Sequence, residues 1–549
     1  MKRVDTYDDL RKEFSWDKYR DACDWDGRTE LNMGHESVDK HRDDRSRVAL
    51  IWLDEDGTEE PYTFGEITRE SNKFANAVTE LGVSEGSRVF THLPRIPEHY
   101  ASMLGVMKAG AIFGSINERY GVDGVNHRLA DSEADTILTT PANLEKIQKA
   151  TADIDSIEDI VVVDRNDVGY DGDHVDYYEL VEGADETFET VRTGPEDPAL
   201  LYYTSGTTGP AKGVVHGHRF ALGNAAFLDQ PADLEEDDLY WLTADPGWLT
   251  GLNMLGAWFW GVPVVIYAGE FDPEMWVNIL NDYPITVLWS VPTAYRMLKD
   301  RDELFEGKDI DLRNMLSIGE PLNAPVIEWA RERFGTPILD GYGTSETYGT
   351  VVSNFPFMEV KPGSMGRPYP GIDVKLVEPG TLEEVEQGEI GEIAVREFPS
   401  SFQRYWNRDK ETAERIRDGW ILTDDLAEMD DDGYFWFQGR ADDVILSAGY
   451  RIGPFDIEST LVDHESVAEA AVVPKADKQR GNIIVAFVVP SKSAPLDDDL
   501  KADIQRFVKE KLAAHEYPRD IRFVDELPKT MTGKIRRTEL KEQMRRDKN

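Results

Sequence analysis

Seven short apolar runs rich in β-branched and aromatic residues, "SRVFTHLP", "AIFGSI", "TILTT", "DIVVVD", "PVVIYA", "ITVLWSVP" and "PILDGYG", recur through about the first 370 residues, with helical patterns between them. Strands that alternate with helices are joined by crossovers, so this part of the chain is expected to build parallel sheets covered by helices. From about residue 371 to 437 the pattern changes to short strands with glycine turns, as in "IDVKLVEPGTLEEVEQGEIGEIAVRE", which predicts a small antiparallel sheet or barrel. After "GRADD" about 105 residues mix helix and strand, enough for a separate α+β domain. A chain of 549 residues is too long for one hydrophobic core, and length alone suggests roughly three or four domain-sized units.

Acidic residues outnumber basic ones 106 to 60, a net charge of −46, and the excess runs along the whole chain. That balance repels a polyanion and argues against nucleic-acid binding. Clusters such as "DLEEDD" and "EMDDDG" suit a surface that lives in concentrated salt, where a Debye length of about 3 Å screens self-repulsion. A halophilic, archaeal and cytoplasmic source is therefore expected. Cys23 stands alone, so neither an internal disulfide nor a cysteine metal cluster is possible, and it reads as an ordinary thiol of a reducing compartment. The N-terminus "MKRVDTYDDLRKEF" is too charged for a secretory signal. The segment "GLNMLGAWFWGVPVVIYAG", residues 251 to 269, is uncharged and approaches the roughly 20 residues that span a bilayer. Its Asn253, Pro263 and glycines favour a buried helix followed by the strand "VPVVIYA", and membrane insertion is not expected.

The stretch "YYTSGTTGPAKG", residues 202 to 213, raises the question of a phosphate cradle. Backbone N–H groups of a glycine-rich turn can converge on phosphate oxygens because no Cβ blocks the approach, and serine and threonine hydroxyls add neutral donors. A Walker loop, however, requires G-x-x-x-x-G-K-[ST]. Here five residues separate Gly206 from Lys212, and Gly213 occupies the place of the magnesium-binding hydroxyl, so that match fails. Taken alone, the loop is compatible with either a ligand-free turn or an anion cradle.

Further motifs follow it in order: "SIGEP" at 317 to 321, "DGYGTSET" at 340 to 347, "GWILTDDLAEMDDDGYFWFQGRADD" at 419 to 443, "LSAGYRIGPFDIES" at 446 to 459 and "PKTMTGKIRR" at 528 to 537. With these, the chain closely resembles the adenylate-forming superfamily of acyl-CoA synthetases, luciferases and peptide-synthetase adenylation domains, over nearly its whole length. The resemblance implies an α/β fold: a large N-terminal domain, residues 1 to 441, of two parallel α/β subdomains plus a small β-barrel-like subdomain at 371 to 437. A mobile α+β C-terminal domain, residues 442 to 549, would follow. It also implies a ligase that uses ATP, Mg2+ and coenzyme A.

The same resemblance assigns site residues. Thr204, Ser205, Gly206, Thr207, Thr208, Gly209 and Lys212 would hold the β- and γ-phosphates. Glu346 corresponds to the magnesium-associated glutamate, with Thr344 and Ser345 near the α-phosphate. Asp340, Gly341 and Tyr342, with Gly319, Glu320 and Pro321, match the adenine wall. Asp425 matches the aspartate that accepts both ribose hydroxyls in charge-assisted hydrogen bonds, although the family's usual Thr-Gly-Asp reads Thr423, Asp424, Asp425 here. Arg440 and Arg451 are the matching nucleotide arginines, and Lys534 occupies the place of the catalytic lysine. Asp442 matches the hinge about which the C-terminal domain swings between adenylation and thioester formation; Ser447, Ala448, Gly449 and Tyr450 would then line the coenzyme A tunnel. Thr204 and Glu346 join Lys534 as the catalytic set.

"WLTADPGWLTG", residues 241 to 251, resembles the acetyl- and medium-chain branch. In acetyl-CoA synthetases the segment matching "DGYGTSE" carries a tryptophan that caps a two-carbon pocket; Gly343 stands there in this chain. An acid larger than acetate is therefore expected, against a pocket of Trp248, Leu249, Thr250, Ile318 and Gly343, with acetate or propionate as the alternative. The chain ends 12 residues after Arg537 without an attached carrier domain, so coenzyme A is the expected acceptor and a separate carrier protein the alternative. A P-loop ATPase or kinase would leave ADP instead of AMP. A metal hydrolase is poorly supported, because His216 and His218 have no accompanying ligand set and read as structural.

Overall fold

The computed structural model describes the chain except for residues 1–5, 45, 205–209, 321, 442, 444, 448–449, 478–480, 492–495, 513–516, 530–534 and 547–549. Two large sheets dominate. The first has nine strands, and its six inner ones, Ile338–Tyr342, Asn314–Ile318, Val287–Ser290, Tyr240–Leu242, Val264–Tyr267 and Val48–Leu53, pair in parallel. Antiparallel strands close its edges, Glu59–Thr63 on one side and Val352–Ser353 with Arg367–Pro368 on the other. The second sheet has eight strands, of which Pro198–Tyr203, Ile112–Ser115, Arg88–His92, Thr136–Thr139, Asp159–Val162 and Val175–Asp176 are parallel. All seven apolar runs of the sequence fall on strands of these two sheets.

Their composition explains the placement. Val287–Ser290 and Thr136–Thr139 are buried throughout, as strands covered by helices on both faces must be. The covering helices start on local signals: a reciprocal Thr63 and Glu66 capping box opens Phe64–Glu80, and prolines open Pro97–Lys108, Pro141–Thr151, Pro273–Asp282 and Pro292–Lys299. The uncharged segment 251 to 269 contains the buried helix Met254–Phe259, a turn at Gly261 with φ +72, and the buried strand Val264–Tyr267. Among the described residues no helix is long and apolar enough to cross a membrane.

The third sheet is antiparallel and five-stranded, with Val374–Val377, Gly391–Arg396, Trp420–Met429, Ile416–Arg417 and Phe435–Arg440. It differs from the expected 371 to 437 unit in two ways. Its last strand runs on to Arg440, and Arg404–Tyr405 leaves the unit to extend the eight-stranded sheet beside Gly213–Gly217. After it comes an α+β unit, in which Val467–Asp477, Gly481–Pro490 and Asp520–Phe523 form a sheet packed against the helices Pro454–Val462, Asp498–Lys511 and Arg537–Arg546. That unit abuts the five-stranded sheet closely: a Cβ on Gly453 would lie 2.3 Å from the Gln438 carbonyl oxygen.

Candidate active site

In an open parallel sheet, residues just beyond the carboxyl ends of the strands share one crevice. Gly319 and Glu320 follow Asn314–Ile318, Gly343 and Thr344 follow Ile338–Tyr342, and the segment leading to Trp248 follows Tyr240–Leu242. The topology thus gathers three of the motifs on one edge of the nine-stranded sheet.

The glycine loop arrives from the other sheet. It joins Pro198–Tyr203 to the antiparallel strand Gly213–Gly217, with Tyr203 opposite Gly213. At its base Thr204 N donates to the Lys212 carbonyl at 3.0 Å. The segment thus links two antiparallel neighbouring strands, which accounts for the failed Walker spacing: a Walker loop leads from a strand into a helix. Ser205, Gly206, Thr207, Thr208 and Gly209 lie outside the described residues.

The "GTSET" turn is fixed by its own threonines. Thr344 N donates to Thr347 Oγ1 at 2.9 Å, Thr347 N donates to Thr344 Oγ1 at 3.2 Å, and Tyr348 N donates to the Thr344 carbonyl at 2.9 Å. Tyr348 has φ +35, uncommon for a bulky side chain, and is pinned by its hydroxyl on Asn253 and by its ring against Phe220 at 3.9 Å. His216 Nε2 reaches the Ser345 carbonyl at 2.9 Å, and His218 Nδ1 accepts from Met33 N at 3.0 Å. Burial drives both imidazoles down to about 3, so they are neutral struts of the turn and of the N-terminal segment.

Glu346 is held from the second sheet. Tyr405 donates its hydroxyl to Glu346 Oε1 at 2.6 Å, and Lys212 Nζ lies 4.9 Å from the centroid of the Tyr405 ring. Arg415 Nε donates to the Tyr405 hydroxyl at 3.1 Å. Burial and the neighbouring Glu346 charge raise the Tyr405 phenol, which keeps it a donor. Arg415 is raised despite its burial, because Tyr405, Glu346 and Asp424 surround it.

Asp425, the expected ribose acceptor, draws its partners from two sheets. Tyr342 donates its hydroxyl to Asp425 Oδ2 at 2.7 Å, and Arg440 NH1 lies 3.6 Å from Asp425 Oδ1. Burial and the Asp425 charge push the Tyr342 phenol well above its ordinary range. Asp425 is itself buried, yet stays tied to a cation and a phenol, a suitable acceptor for hydroxyl groups.

Among the residues expected at the adenine, Asp340 is buried and its Oδ1 has no hydrogen-bond partner among the described residues. Burial raises its carboxyl well above the usual carboxylate range. An orphaned buried acceptor fits an incoming amino group. Glu320 turns its carboxylate to Thr293 Oγ1 at 2.7 Å and Arg296 at 2.9 Å, which ties the turn after Asn314–Ile318 to the helix Pro292–Lys299. Gly319 adopts φ +97, a conformation that favours glycine. Gly341 lies opposite Ser353 in the sheet. Pro321 lies outside the described residues.

Leu249 and Ile318 belong to the main core, while Trp248 and Thr250 are half-buried, and Trp248 packs on Tyr120 at 5.9 Å between ring centroids. Gly343 requires a correction. A Cβ there would sit 1.8 Å from the Gly349 carbonyl oxygen, so backbone fills the direction in which the absent indole was expected to leave space. The glycine is demanded by the turn. Of the remaining expected residues, Ser447 is buried and donates to the Asn482 carbonyl at 2.7 Å. Asp442, Ala448, Gly449 and Lys534 lie outside the described residues, as do the side chains of Tyr450 and Arg451, whose backbone forms the strand Tyr450–Ile452.

The sequence reading missed Tyr405, Arg415 and the role of Asp424. Tyr405 and Arg415 fall between motifs, in "QRYWNRDKETAERI"; the misfit of an aspartate where glycine is usual was the one signal for Asp424.

A chain of contacts runs from Lys212 and Glu346 through Tyr405, Arg415 and Asp424 to Arg440, Asp425 and Tyr342, so residues of three of the motifs share one charged network. The chain matches the AMP-binding enzyme family over residues 36–406 and its C-terminal domain over 456–534, and it belongs to that family. It is 39% identical over 546 residues to an acetyl-coenzyme A synthetase of Bacillus subtilis, with 97% of this chain and 94% of that protein covered. It is 36% identical to the mitochondrial acyl-coenzyme A synthetase ACSM3 of Mus musculus, with 90% and 86% covered. The fold is similar to that of the anthranilate CoA ligase AuaEII in complex with anthranoyl-AMP, at a TM-score of 0.87 and 28% identity, covering 94% of this chain and 98% of that one. The protein is an AMP-forming acid–thiol ligase, with a carboxylic acid, ATP and coenzyme A as its substrates.

Proposed function

We propose that the chain activates a short- to medium-chain carboxylic acid as its acyl-adenylate and then transfers the acyl group to coenzyme A. The observation that carries this reading is the continuous chain of contacts from Lys212 through Tyr405 and Glu346, Arg415 and Asp424 to Arg440, Asp425 and Tyr342. A carboxylate is a poor acyl donor, because its oxygen leaves badly. In the first step a carboxylate oxygen attacks the α-phosphorus of ATP, the bond to the β-phosphate oxygen breaks, and pyrophosphate leaves. In the second, the thiol loses its proton and attacks the acyl carbon, and AMP leaves. The first step brings anions together, so positioning and fixed positive charge supply most of the acceleration.

In this reading Lys212 and the loop N–H groups steady the departing pyrophosphate, and Lys534 bridges the acid and the α-phosphate. Asp425 accepts the ribose hydroxyls, and Asp340 takes the adenine amino group. Mg2+ is bound through few carboxylates plus substrate phosphates; Glu346, with one oxygen already held by Tyr405, fits that requirement. When bound, the ion would neutralise phosphate charge. The C-terminal domain from Asp442 onward would rotate between the steps, removing Lys534 and bringing the Gly449 segment to the tunnel, where a Cβ would narrow the channel.

The acid is proposed to have about four to ten carbons, each buried methylene contributing about 0.8 kcal/mol. The apolar Leu249 and Ile318 support this, as does the likeness to ACSM3. Acetate or propionate is the second reading, favoured by the backbone that fills the space beside Gly343 and by the likeness to the Bacillus subtilis acetyl-coenzyme A synthetase. A cytoplasmic, halophilic setting is proposed on the net charge of −46. Because ATP and coenzyme A are anionic, turnover should rise with KCl toward the molar range; an optimum below about 0.1 M would count against that setting. The testing experiment is AMP release across straight, branched and aromatic acids of two to twelve carbons, with and without coenzyme A. Acid-dependent AMP with a maximum above three carbons is expected. ADP as product would overturn the reading, and a maximum at acetate would select the alternative.

A further inference from the structure

The extra acid of the ribose motif occupies an unusual backbone position. Between the pairs Ala394 with Leu422 and Glu392 with Leu426, the residues Thr423, Asp424 and Asp425 stand opposite Ile393 alone. This is a bulge, a device that re-aims side chains beside functional sites. Thr423 Oγ1 donates to the Ile393 carbonyl at 2.8 Å, and Asp424 N donates to Glu392 Oε1 at 2.8 Å, which fixes the bulge from behind. Asp424 thereby adopts φ +59, in the left-handed region where glycine is the least strained residue and aspartate is only tolerated. A glycine would form this bulge more easily, so the carboxylate calls for another explanation.

Its contacts supply one. Asp424 Oδ2 lies 2.6 Å from Arg415 NH2 and 3.6 Å from Arg440 NH2, while its carbonyl accepts from Ala441 N at 2.7 Å, next to Asp442. Arg415 leads through the Tyr405 hydroxyl to Glu346, and Arg440 leads to Asp425. The bulge thus sends two consecutive carboxylates to opposite tasks: Asp425 to Tyr342 and Arg440, and Asp424 across to Arg415.

We propose that Asp424 is a positioning residue for nucleotide binding, clamping Arg415 and Arg440 so that the ribose end and the Glu346 end of the crevice form one charged network. This rests on the adenylate-forming reading of the site. A glycine there would leave Arg415 held only by the Tyr405 hydroxyl and the Leu422 carbonyl and Arg440 beside Asp425, so each would lose a carboxylate anchor before ATP arrives, and ordering them further on binding weakens affinity. Arg415 would also gain freedom to swing toward Glu346 and compete for it.

The test uses the full chain in molar KCl with Asp424→Asn and Asp424→Gly. Asparagine keeps the tolerance for left-handed backbone and loses the charge; glycine relieves the backbone and removes the side chain. Both should raise the KM for ATP by about tenfold with kcat changed less than about threefold, and weaken AMP binding measured by calorimetry to a similar degree. The melting temperature of Asp424→Gly should equal or exceed that of the unaltered protein. Asp424→Asn combined with Arg415→Gln should cost no more in ATP affinity than the larger single change, since the two act as a unit. Unaltered KM and AMP affinity in both variants would overturn the assignment, as would losses that track only a lowered melting temperature. AMP binding is read without turnover, so absence of acid-dependent AMP release from the unaltered protein would strike the functional reading and leave this test decisive.

Discussion

The segment proposed to hold the phosphates and the cluster proposed to hold the ribose differ in how they are built. The first is contiguous in sequence, between the paired strands Pro198–Tyr203 and Gly213–Gly217, and is closed at its base by the backbone hydrogen bond from Thr204 N to the Lys212 carbonyl. The ribose edge draws Tyr342 from the nine-stranded sheet and Asp425 and Arg440 from the five-stranded one, joined by side-chain contacts at 2.7 and 3.6 Å. In the proposed role the phosphates would be shared among several backbone N–H groups and hydroxyls of the loop sequence, so no one side chain there should dominate. At Asp425 one buried carboxylate takes the Tyr342 hydroxyl and lies beside Arg440, and its loss removes the acceptor of a buried phenol and leaves Asp424 as the carboxylate beside the guanidinium.

That contrast can be broken by comparing variants. Asp425→Asn should have the larger effect, raising the KM for ATP by about a hundredfold, in line with about 2 to 3 kcal/mol for a charged hydrogen-bond acceptor. Lys212→Ala should cost about tenfold, because its charge is partly exposed and backbone donors remain. Steady-state kinetics with ATP varied would decide between them; a larger loss at Lys212 would reverse the proposed division of labour.

The difference also governs what could be read from the sequence. The two parallel sheets were legible because fully buried strands require uninterrupted β-branched runs, and the loop was legible because its chemistry needs contiguous glycines and hydroxyls. Asp425 and Glu346 could be named from their motifs. Tyr405 could not, since it reaches Glu346 only because Arg404–Tyr405 leaves its own segment to pair with Gly213–Gly217. Gly343 was misread for a related reason: the sequence reports a missing side chain, and only the path of the backbone reveals that Gly349 fills the space.

The smallest effect is expected at His218, which is buried away from both clusters' described contacts and accepts from Met33 N. Its folded value is about 3, below the ordinary value of 6.5, so the unfolded chain binds the extra proton. Its contribution is therefore fully present above about pH 6.5 and is lost as pH falls toward 3, at about 1.4 kcal/mol per pH unit. His218→Asn keeps an acceptor for Met33 N and removes that proton. Denaturant melts between pH 6.5 and 4 should show a shallower loss of stability, with ATP kinetics at pH 7.5 near those of the unaltered protein; an unchanged slope would contradict the neutral buried imidazole.

The central claim is that one crevice performs two half-reactions with different residues. Lys534→Ala tests it most directly, with acid-dependent ATP–pyrophosphate exchange and thioester formation from supplied acyl-adenylate measured on the same preparation. Exchange should fall by roughly a thousandfold, the scale of removing a charge aimed at the transition state, while coenzyme A still takes the acyl group from supplied adenylate. Equal loss of both half-reactions would contradict the account.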